Sequence, residues 1–149
     1  MTVMRISTKG RYALRMLVDL AEHKNDGFVA LKDIAERQKI SKKYLEQIVP
    51  ILNKTRILRT NRGFQGGYRL AIEPNQCTVG EILRLTEGTL SPIPCIDDDG
   101  RVDCDREIDC STLYVWQGLK KVVTEYLDSI TLQDIIDHRY ESFSNDYVI

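Results

Sequence analysis

The sequence has 149 residues, of which 42% are hydrophobic and 29% are charged, a composition typical of one globular domain with or without an appendage. No stretch approaches the roughly 18 consecutive apolar residues of a membrane span. The N-terminal segment lacks the apolar core of a secretory signal. We therefore expect a cytoplasmic protein that does not enter a membrane, in a compartment that keeps thiols reduced.

Charge divides the chain into two unlike halves. Residues 1–70 contain 15 Lys and Arg against six Asp and Glu, whereas residues 71–149 contain six against 16. Random segregation of charge on a solvated surface is one explanation. The other is that the basic half binds a polyanion such as a nucleic acid, and the acidic half does not.

Apolar periodicity predicts three helices in the basic half. The first spans about 8–23 and the second about 31–38, and the third begins at Ser41, a good N-terminal cap. Two extended runs, 57–60 and 67–72, flank a segment of turn-forming residues. This arrangement predicts a β-hairpin directly after the third helix.

The acidic half contains three further predicted helices. Thr78 and Glu81 form a capping box that opens a helix running to about Glu87. A long helix over about 112–127 repeats its apolar residues at spacings of four and three, and its apolar surface is wider than a single contact stripe requires. Thr131 caps a short final helix, and a tail of mixed composition, expected to be partly mobile, follows from His138 onward.

These elements divide the chain into five segments. They are a winged helix-turn-helix domain (4–76), a helix and linker (77–94), a cysteine-containing loop (95–111), a long helix with a short C-terminal helix (112–137) and a tail (138–149). The expected fold class is mainly α, with a small β-hairpin wing and a long dimerisation helix.

The order of elements in the basic half is that of a winged helix-turn-helix, in which the second helix of the pair enters the DNA major groove. Lysines on that helix can also be a plain solvated surface, but the arginine-bearing hairpin and the basic charge favour double-stranded DNA. The residues expected to contact DNA are Lys42, Lys43, Tyr44, Glu46 and Gln47 in the third helix and Arg59, Asn61, Arg62 and Gly66 in the hairpin. Glu46 either pairs with a neighbouring lysine or accepts a hydrogen bond from cytosine.

Three of the four cysteines, Cys95, Cys104 and Cys110, lie within 16 residues that also hold seven acidic side chains. Thiolates gathered from a loop are ligands for iron–sulfur clusters and soft metal ions. The close cysteine pairs typical of zinc sites and thiol oxidoreductases are absent from this sequence. An iron–sulfur cluster is the favoured interpretation, with zinc, direct thiol redox sensing and incidental thiols as alternatives. The fourth cysteine, Cys77, is expected to be a buried structural thiol.

Four motifs together resemble the IscR/NsrR/CymR-type family of bacterial winged-helix transcriptional regulators. They are MRISTKGRYALRMLVDLA at 4–21, ISKKYLEQIV at 40–49, RGFQGGYRLA at 62–71 and TVGEILRLTEG at 78–88. The resemblance covers nearly the whole chain and implies a homodimer formed through the long helix and bound to a palindromic operator, usually as a repressor. It also implies an iron–sulfur cluster, 2Fe–2S or 4Fe–4S, held by the three loop cysteines, as in the cysteine-containing members.

The chain departs from the family pattern at the fourth cluster ligand. The resemblance implies either a histidine three residues after the last cysteine or a carboxylate from the first helix of the other subunit. These positions hold Leu113 and Arg11. Four loop carboxylates are candidates by proximity alone: Asp103, Asp105, Glu107 and Asp109.

Control of such a regulator has two alternative explanations. In the first, a bound cluster orders an acidic loop that has no hydrophobic reason to be ordered, which adjusts the dimer helix and the spacing of the two recognition helices. In the second, the protein is a cluster-free, CymR-like regulator controlled by a partner protein, with the cysteines incidental or zinc-binding. An enzyme is not expected, because the sequence has no catalytic triad, phosphate-binding loop or metal-hydrolase motif.

Overall fold

The computed structural model describes residues 3–146, and within them it contains six α-helices and one two-stranded antiparallel sheet. The helices are α1 (Thr8–Glu22), α2 (Leu31–Gln38), α3 (Lys42–Asn53), α4 (Val79–Glu87), α5 (Leu113–Ser129) and α6 (Leu132–Asp146), and the strands are β1 (Leu58–Asn61) and β2 (Gly67–Leu70). No helix in this part of the chain is long and apolar enough to cross a bilayer. The predicted fold class, mainly α with a β-hairpin wing, is confirmed.

The first three helices share one apolar core. Its central side chains are all at most 1% exposed: Met16, Leu17 and Leu20 of α1, Ile34 of α2, and Leu45, Ile48 and Leu52 of α3. Burying a side chain of this size contributes roughly 1.5–3 kcal/mol. Packing of these faces therefore fixes the positions of the helices more strongly than intrinsic helix propensity does.

A buried carboxylate ties α1 to α2. Asp19, which is 1% exposed, accepts hydrogen bonds from the guanidinium of Arg37 at 2.6 and 3.0 Å and from the amide of Gln38 at 3.0 Å. The hydrogen bond to Asp19 raises the pKa of Arg37, because the carboxylate stabilises the charged guanidinium. The chain then turns at Lys39, which has a left-handed φ of 54°. The angle between the two helices that precede α3 is thereby fixed.

The β-hairpin is attached to the helical core at its base. Its register pairs Leu58 with Leu70 and Asn61 with Gly67. Val29, just before α2, exchanges two backbone hydrogen bonds of 2.8 Å with Tyr68 of β2. A Cβ on Gly67 would lie 2.3 Å from the carbonyl oxygen of Val29, so this approach requires glycine. The wing therefore has one fixed orientation relative to the helices.

The start of α4 and the junction of α5 with α6 are joined by backbone hydrogen bonds. Val79 N donates to Ile130 O at 2.8 Å, and Leu132 N donates to Cys77 O at 3.0 Å. Cys77 is fully buried, as predicted, and burial raises the pKa of its thiol to about 12. This thiol is a packing group of the core.

The C-terminal helix differs from the prediction. The final helix was predicted to be short, which is wrong because α6 continues to Asp146, so the predicted tail is helical over residues 138–146. The last three residues of that tail lie outside the described residues. Arg139 pairs with Glu22 of α1 at 2.9 Å, and its guanidinium lies 5.6 Å from the ring centroid of Phe143. The pair with Glu22 joins residues 117 positions apart in the sequence, so local composition does not reveal it.

Candidate nucleic-acid interface and cysteine loop

Helix α3 buries one face and exposes the other. The Ser41 hydroxyl accepts a hydrogen bond from Tyr44 N at 3.1 Å and so caps the helix. The apolar side chains at helical spacing lie in the core, which directs the opposite face outward. Four of the predicted contact residues are exposed on α3: Lys42, Lys43, Glu46 and Gln47.

Two predicted residues of α3 have contacts within the protein. Lys42 Nζ lies 3.9 Å from Glu46 Oε1, with 59% and 54% of the two side chains exposed. An ion pair this exposed is worth little, so both groups remain available to another partner. Tyr44 is half-buried, and its ring meets Tyr12 of α1 edge-on at 5.3 Å. Tyr44 therefore packs α3 against α1, whatever else it contacts.

The hairpin presents its predicted residues on a constrained turn. Arg59, Asn61 and Arg62 are exposed. Gly66 N donates to Gly63 O at 2.8 Å and closes the turn. A Cβ on Gly66 would lie 2.5 Å from the carbonyl oxygen of Asn61, so glycine is needed there for the turn itself.

A groove of about 530 Å³ separates α3 from the wing. Its lining residues come from the start of α2, from α3 and from the hairpin. The charged ones are Lys32, Lys42 and Arg62, and none of the described residues that line the groove is Asp or Glu. A concave surface with basic side chains and no carboxylate suits the phosphate backbone of a nucleic acid.

Two features of this groove were missed by the sequence analysis. Lys32 reaches it from α2, which the sequence pattern marked only as a helix of the core. Thr60 Oγ1 donates to Asn53 Oδ1 at 2.6 Å and braces β1 against the end of α3. Both depend on the packing of separate elements. The only local signal was the polar character of these positions.

The first part of the cysteine loop is folded, which corrects the expectation that it has no hydrophobic reason to be ordered. Ile96 is 2% exposed and forms an antiparallel bridge with Val102. The hydroxyl of Ser91 donates to the carbonyl oxygen of Ile96. Asp98 accepts hydrogen bonds from Thr89 Oγ1 at 2.8 Å and from Leu90 N at 2.9 Å.

The loop is also joined to α5, and α5 to α4. Lys120 Nζ of α5 donates to the backbone oxygen of Asp98 at 2.9 Å. Arg84 of α4 makes two hydrogen bonds to the carboxylate of Asp128 of α5, at 2.8 and 2.7 Å. A continuous series of contacts thus runs from the loop through α5 to the helix that packs beside α1.

The three loop thiols have different surroundings. Cys95 belongs to the folded part, where its carbonyl oxygen accepts a hydrogen bond from Asp103 N at 2.8 Å. Cys104 is exposed and begins a segment of turns. Cys110 lies 3.5 Å from Thr112 Oγ1, and hydrogen bonds from the hydroxyl and backbone amide of Thr112 lower the pKa of its thiol.

Three thiols in one loop match the ligand chemistry of an iron–sulfur cluster. Over residues 3–146, however, no three His, Cys, Asp or Glu side chains are gathered closely enough to hold a metal ion. The positions where related proteins are expected to supply a fourth ligand hold Leu113, in the first turn of α5, and Arg11, which donates to Thr8 Oγ1 at 3.2 Å.

Comparison with known proteins agrees with this architecture. Residues 6–138 match the family model described as Rrf2, iron-dependent transcriptional regulator. The chain is 38% identical over 135 residues to the HTH-type transcriptional regulator CymR of Bacillus subtilis, an alignment that covers 91% of each protein. It is 37% identical over 133 residues to the HTH-type transcriptional regulator IscR of Photobacterium profundum, covering 89% of this chain and 76% of that protein.

Solved structures give the same assignment. The T. potens IscR superimposes with a TM-score of 0.73 at 40% identity, covering 93% of this chain and 90% of that one. CymR (YrzC), the global cysteine regulator of B. subtilis, gives a TM-score of 0.76 at 36% identity, covering 91% and 98%. These relatives are transcriptional regulators and not enzymes, as the sequence resemblance predicted. The chain belongs to the Rrf2 family of winged-helix, DNA-binding transcriptional regulators.

Proposed function

We propose that this regulator binds a palindromic duplex operator as a homodimer, acts as a repressor, and is controlled through the loop at residues 95–110 by an iron–sulfur cluster. The observation that carries the DNA-binding mode is the basic groove between α3 and the wing, whose described lining contains no carboxylate. Since bacterial DNA lies in the cytoplasm, that is the compartment in which the protein works.

Docking of the duplex uses two exposed surfaces of fixed relative orientation. The exposed face of α3 enters the major groove, where Lys43 contacts phosphate or guanine and Gln47 reaches base edges. The wing lies over the neighbouring minor groove, where Arg59 and Arg62 meet its negative potential. Lys32 and Lys42, at the groove between these surfaces, hold the intervening phosphates.

The DNA-binding mode is tested with a duplex enriched from a random pool by the wild-type protein. Lys43→Ala and Arg62→Ala should each weaken binding about tenfold and reduce the slope of log K against log salt by about 0.9 for each phosphate that is no longer neutralised. Lys121→Ala, an exposed lysine of α5, is the matched control and should bind as the wild type does. If Lys43→Ala and Arg62→Ala both bind the duplex as tightly as the wild type does, this docking mode is wrong.

The homodimer is proposed from the surface of α5. None of its residues is buried. Six of them form the apolar surface of the helix and are more than a third exposed: Tyr114, Val115, Trp116, Leu119, Val122 and Tyr126. Contiguous apolar surface of this kind marks a protein interface. A second copy related by a two-fold axis covers it and also matches the symmetry of a palindrome.

The cluster is proposed from the chemistry of the loop. Cys95, Cys104 and Cys110 supply three thiolates, and the lowered pKa of Cys110 favours the deprotonated form that binds metal. A cluster bound there supplies a link between these thiols that depends on iron and on redox state. The fourth ligand is not assigned, with Asp103, Asp105, Glu107 and Asp109 as the candidates within the loop.

Control acts through the contacts of the loop with α5. A change in the shape of the loop alters the hydrogen bond between Lys120 and Asp98, and this changes the position of α5. Asp128 transmits that change to Arg84 of α4. In a homodimer, a shift of α5 alters the distance between the two copies of α3, and the half-sites of an operator demand a fixed distance.

Anaerobic purification followed by iron and sulfide assays tests the cluster. The wild-type protein should be coloured and contain both elements, and Cys104→Ala should lose them. Cys77→Ala, which removes the buried thiol, is the control and should retain them. If Cys104→Ala leaves operator affinity and its response to oxygen unchanged, control through this loop is wrong.

A second candidate is a cluster-free regulator controlled by a partner protein, with the cysteines incidental or zinc-binding. Two observations favour it: the thiols are not gathered among the described residues, and one of the relatives named above is a CymR. A colourless anaerobic sample without iron or sulfide, whose operator affinity changes when a co-purifying protein is removed, would select this candidate.

A further inference from the structure

Phe64 stands apart from every other apolar side chain of the helix-turn-helix half. It is 98% exposed. All other exposed large hydrophobic residues of the described chain lie at positions 3 and 6 or from residue 108 onward. A single exposed apolar residue is ordinary on a protein surface, so the position of Phe64 in the fold has to carry the argument.

The turn holds Phe64 at the tip of the wing. Gly66 N donates to Gly63 O across the turn at 2.8 Å. Gln65 has a positive φ of 63°, as the third residue of a type II turn requires, which puts Phe64 at the outer corner. The base of the wing is hydrogen-bonded to Val29, and the ring at the opposite end of the hairpin is exposed.

The surroundings of Phe64 select a polyanion as its partner. From Ile57 to Ile72 the chain contains Arg59, Arg62 and Arg69 and no Asp or Glu. Arg69 stacks over the ring of Phe28, with its guanidinium carbon 5.4 Å from the ring centroid. The exposed Arg59 and Arg62 therefore attract a phosphate backbone towards the tip, and the ring is the group that leads the approach.

We propose that Phe64 is an apolar wedge that the wing inserts into the DNA minor groove, against the sugars and edges of one base step, which it partly unstacks. This inference rests on the proposed docking of the wing. Phenylalanine inserted from the minor groove opens a base step and kinks the duplex. Pyrimidine–purine steps resist this least. Phe64 thus adds a sequence preference beside each half-site without a hydrogen bond to a base.

The test uses the duplex enriched from a random pool by the wild-type protein. Phe64→Ala should weaken binding about five- to hundredfold, the range for removing a ring stacked on a base, with an unchanged salt slope because the net charge stays the same. Phe64→Leu keeps an apolar wedge and should retain most of the affinity. Gln65→Ala changes the neighbouring exposed side chain of the same turn and is the matched control.

Unstacking has its own signal, from 2-aminopurine placed at steps flanking the half-sites. Its fluorescence should rise when the wild-type or Phe64→Leu protein binds and rise less with Phe64→Ala. Wild-type affinity and fluorescence for Phe64→Ala overturn the wedge, as does a loss of affinity that lowers the salt slope. Arg62→Ala separates this from the docking mode, because wild-type binding by both Arg62→Ala and Lys43→Ala defeats the docking itself.

Discussion

The two halves of the molecule treat apolar surface in opposite ways. The helix-turn-helix half buries its large apolar side chains within one chain and leaves only Phe64 exposed among residues 7–107. Helix α5 buries none of its residues and exposes Trp116, Val122 and Tyr126 among others. The core of the helix-turn-helix half is covered within this chain, with Ile82 of α4 and Leu132 and Ile136 of α6 contributing to it, whereas the apolar surface of α5 is exposed. This difference supports the proposal that α5 forms the dimer interface.

The thiols follow the same division. Cys77 is fully buried in the first core, where burial raises its pKa to about 12. In the loop, Cys104 is exposed, and the pKa of Cys110 is lowered by hydrogen bonds from Thr112. A buried neutral thiol is a packing group, whereas exposed thiols with thiolate character are reactive towards metals and oxidants. The thiol whose pKa is lowered therefore lies outside the core that buries Cys77.

The largest expected effect concerns the exposed apolar surface of α5. Val122→Glu puts a carboxylate on the apolar surface of α5, and at a two-fold interface both copies carry it. Desolvating the two charges should cost about 4 kcal/mol and raise the dimer dissociation constant more than about hundredfold. Sedimentation equilibrium measures this, with Lys121→Ala as the control on the same helix. An unchanged dissociation constant for Val122→Glu would remove α5 from the interface.

The next largest effect concerns the helix-turn-helix half, where Asp19 joins α1 to α2. Asp19→Ala deprives Arg37 and Gln38 of their buried acceptor. We expect a loss of about 2–3 kcal/mol in the free energy of unfolding, because Arg37 is partly exposed and can be solvated. Urea unfolding measures the loss. Glu36→Ala, on the exposed side of α2, should stay within about 0.5 kcal/mol of the wild type. Equal stability of the two variants would show that the Asp19 network does not hold α1 to α2.

Sequence analysis predicted the helix-turn-helix half well because its signals are local. Ser41 caps α3, the apolar residues of α3 recur at helical spacing, and the turn at 61–66 lies between two extended runs. Each signal acts within a few residues, so the chain around it decides the structure. One predicted contact residue also has a structural role that the pattern did not reveal: Tyr44 packs on Tyr12.

The cysteine loop and α6 were predicted less well because their contacts join distant segments. The end of α6 was missed, since Arg139 pairs with Glu22 across most of the chain length. The folded part of the cysteine loop was missed as well, because its acidic composition gives no sign that Ile96 is buried or that Asp98 is hydrogen-bonded to Lys120 of α5. A fourth ligand for the proposed cluster could not be chosen from spacing, because the two positions that the resemblance implies hold Leu113 and Arg11.

Alkaline pH sharpens the contrast between the two kinds of thiol. The ordinary pKa of a cysteine is 9.0, and that of Cys77 is raised to about 12. Above pH 9 the unfolded chain loses this proton while the folded chain keeps it, so stability is complete below pH 9 and falls as pH rises towards 12. Between pH 8 and pH 10 the free energy of unfolding of the wild type should fall by about 1.4 kcal/mol more than that of Cys77→Ala. Cys104→Ala is the control and should behave as the wild type, and equal losses in the wild type and Cys77→Ala would contradict the prediction.

The smallest effect tests the contact between α4 and α5. Arg84 of α4 and Asp128 of α5 form a bidentate pair, but their side chains are 39% and 37% exposed, so solvent screens the pair. A double-mutant cycle with Arg84→Met and Asp128→Asn should give a coupling energy of about 1 kcal/mol in urea unfolding. The exposed pair of Lys121 and Glu125, 3.9 Å apart on α5, serves as the reference and should give about 0.3 kcal/mol.

A related substitution tests how a change in the cysteine loop is transmitted through α5 to the DNA-binding helices. A Cβ on Gly80 of α4 would lie 2.0 Å from Asp128 Oδ1, so Gly80→Ala displaces the carboxylate without changing any charge. If the pair carries the signal from the loop, Gly80→Ala and Arg84→Met should reduce the response of operator affinity to oxygen by the same factor. A full response in both variants would mean that the backbone bonds between Val79 and Ile130, and between Leu132 and Cys77, suffice to join α5 to the DNA-reading half.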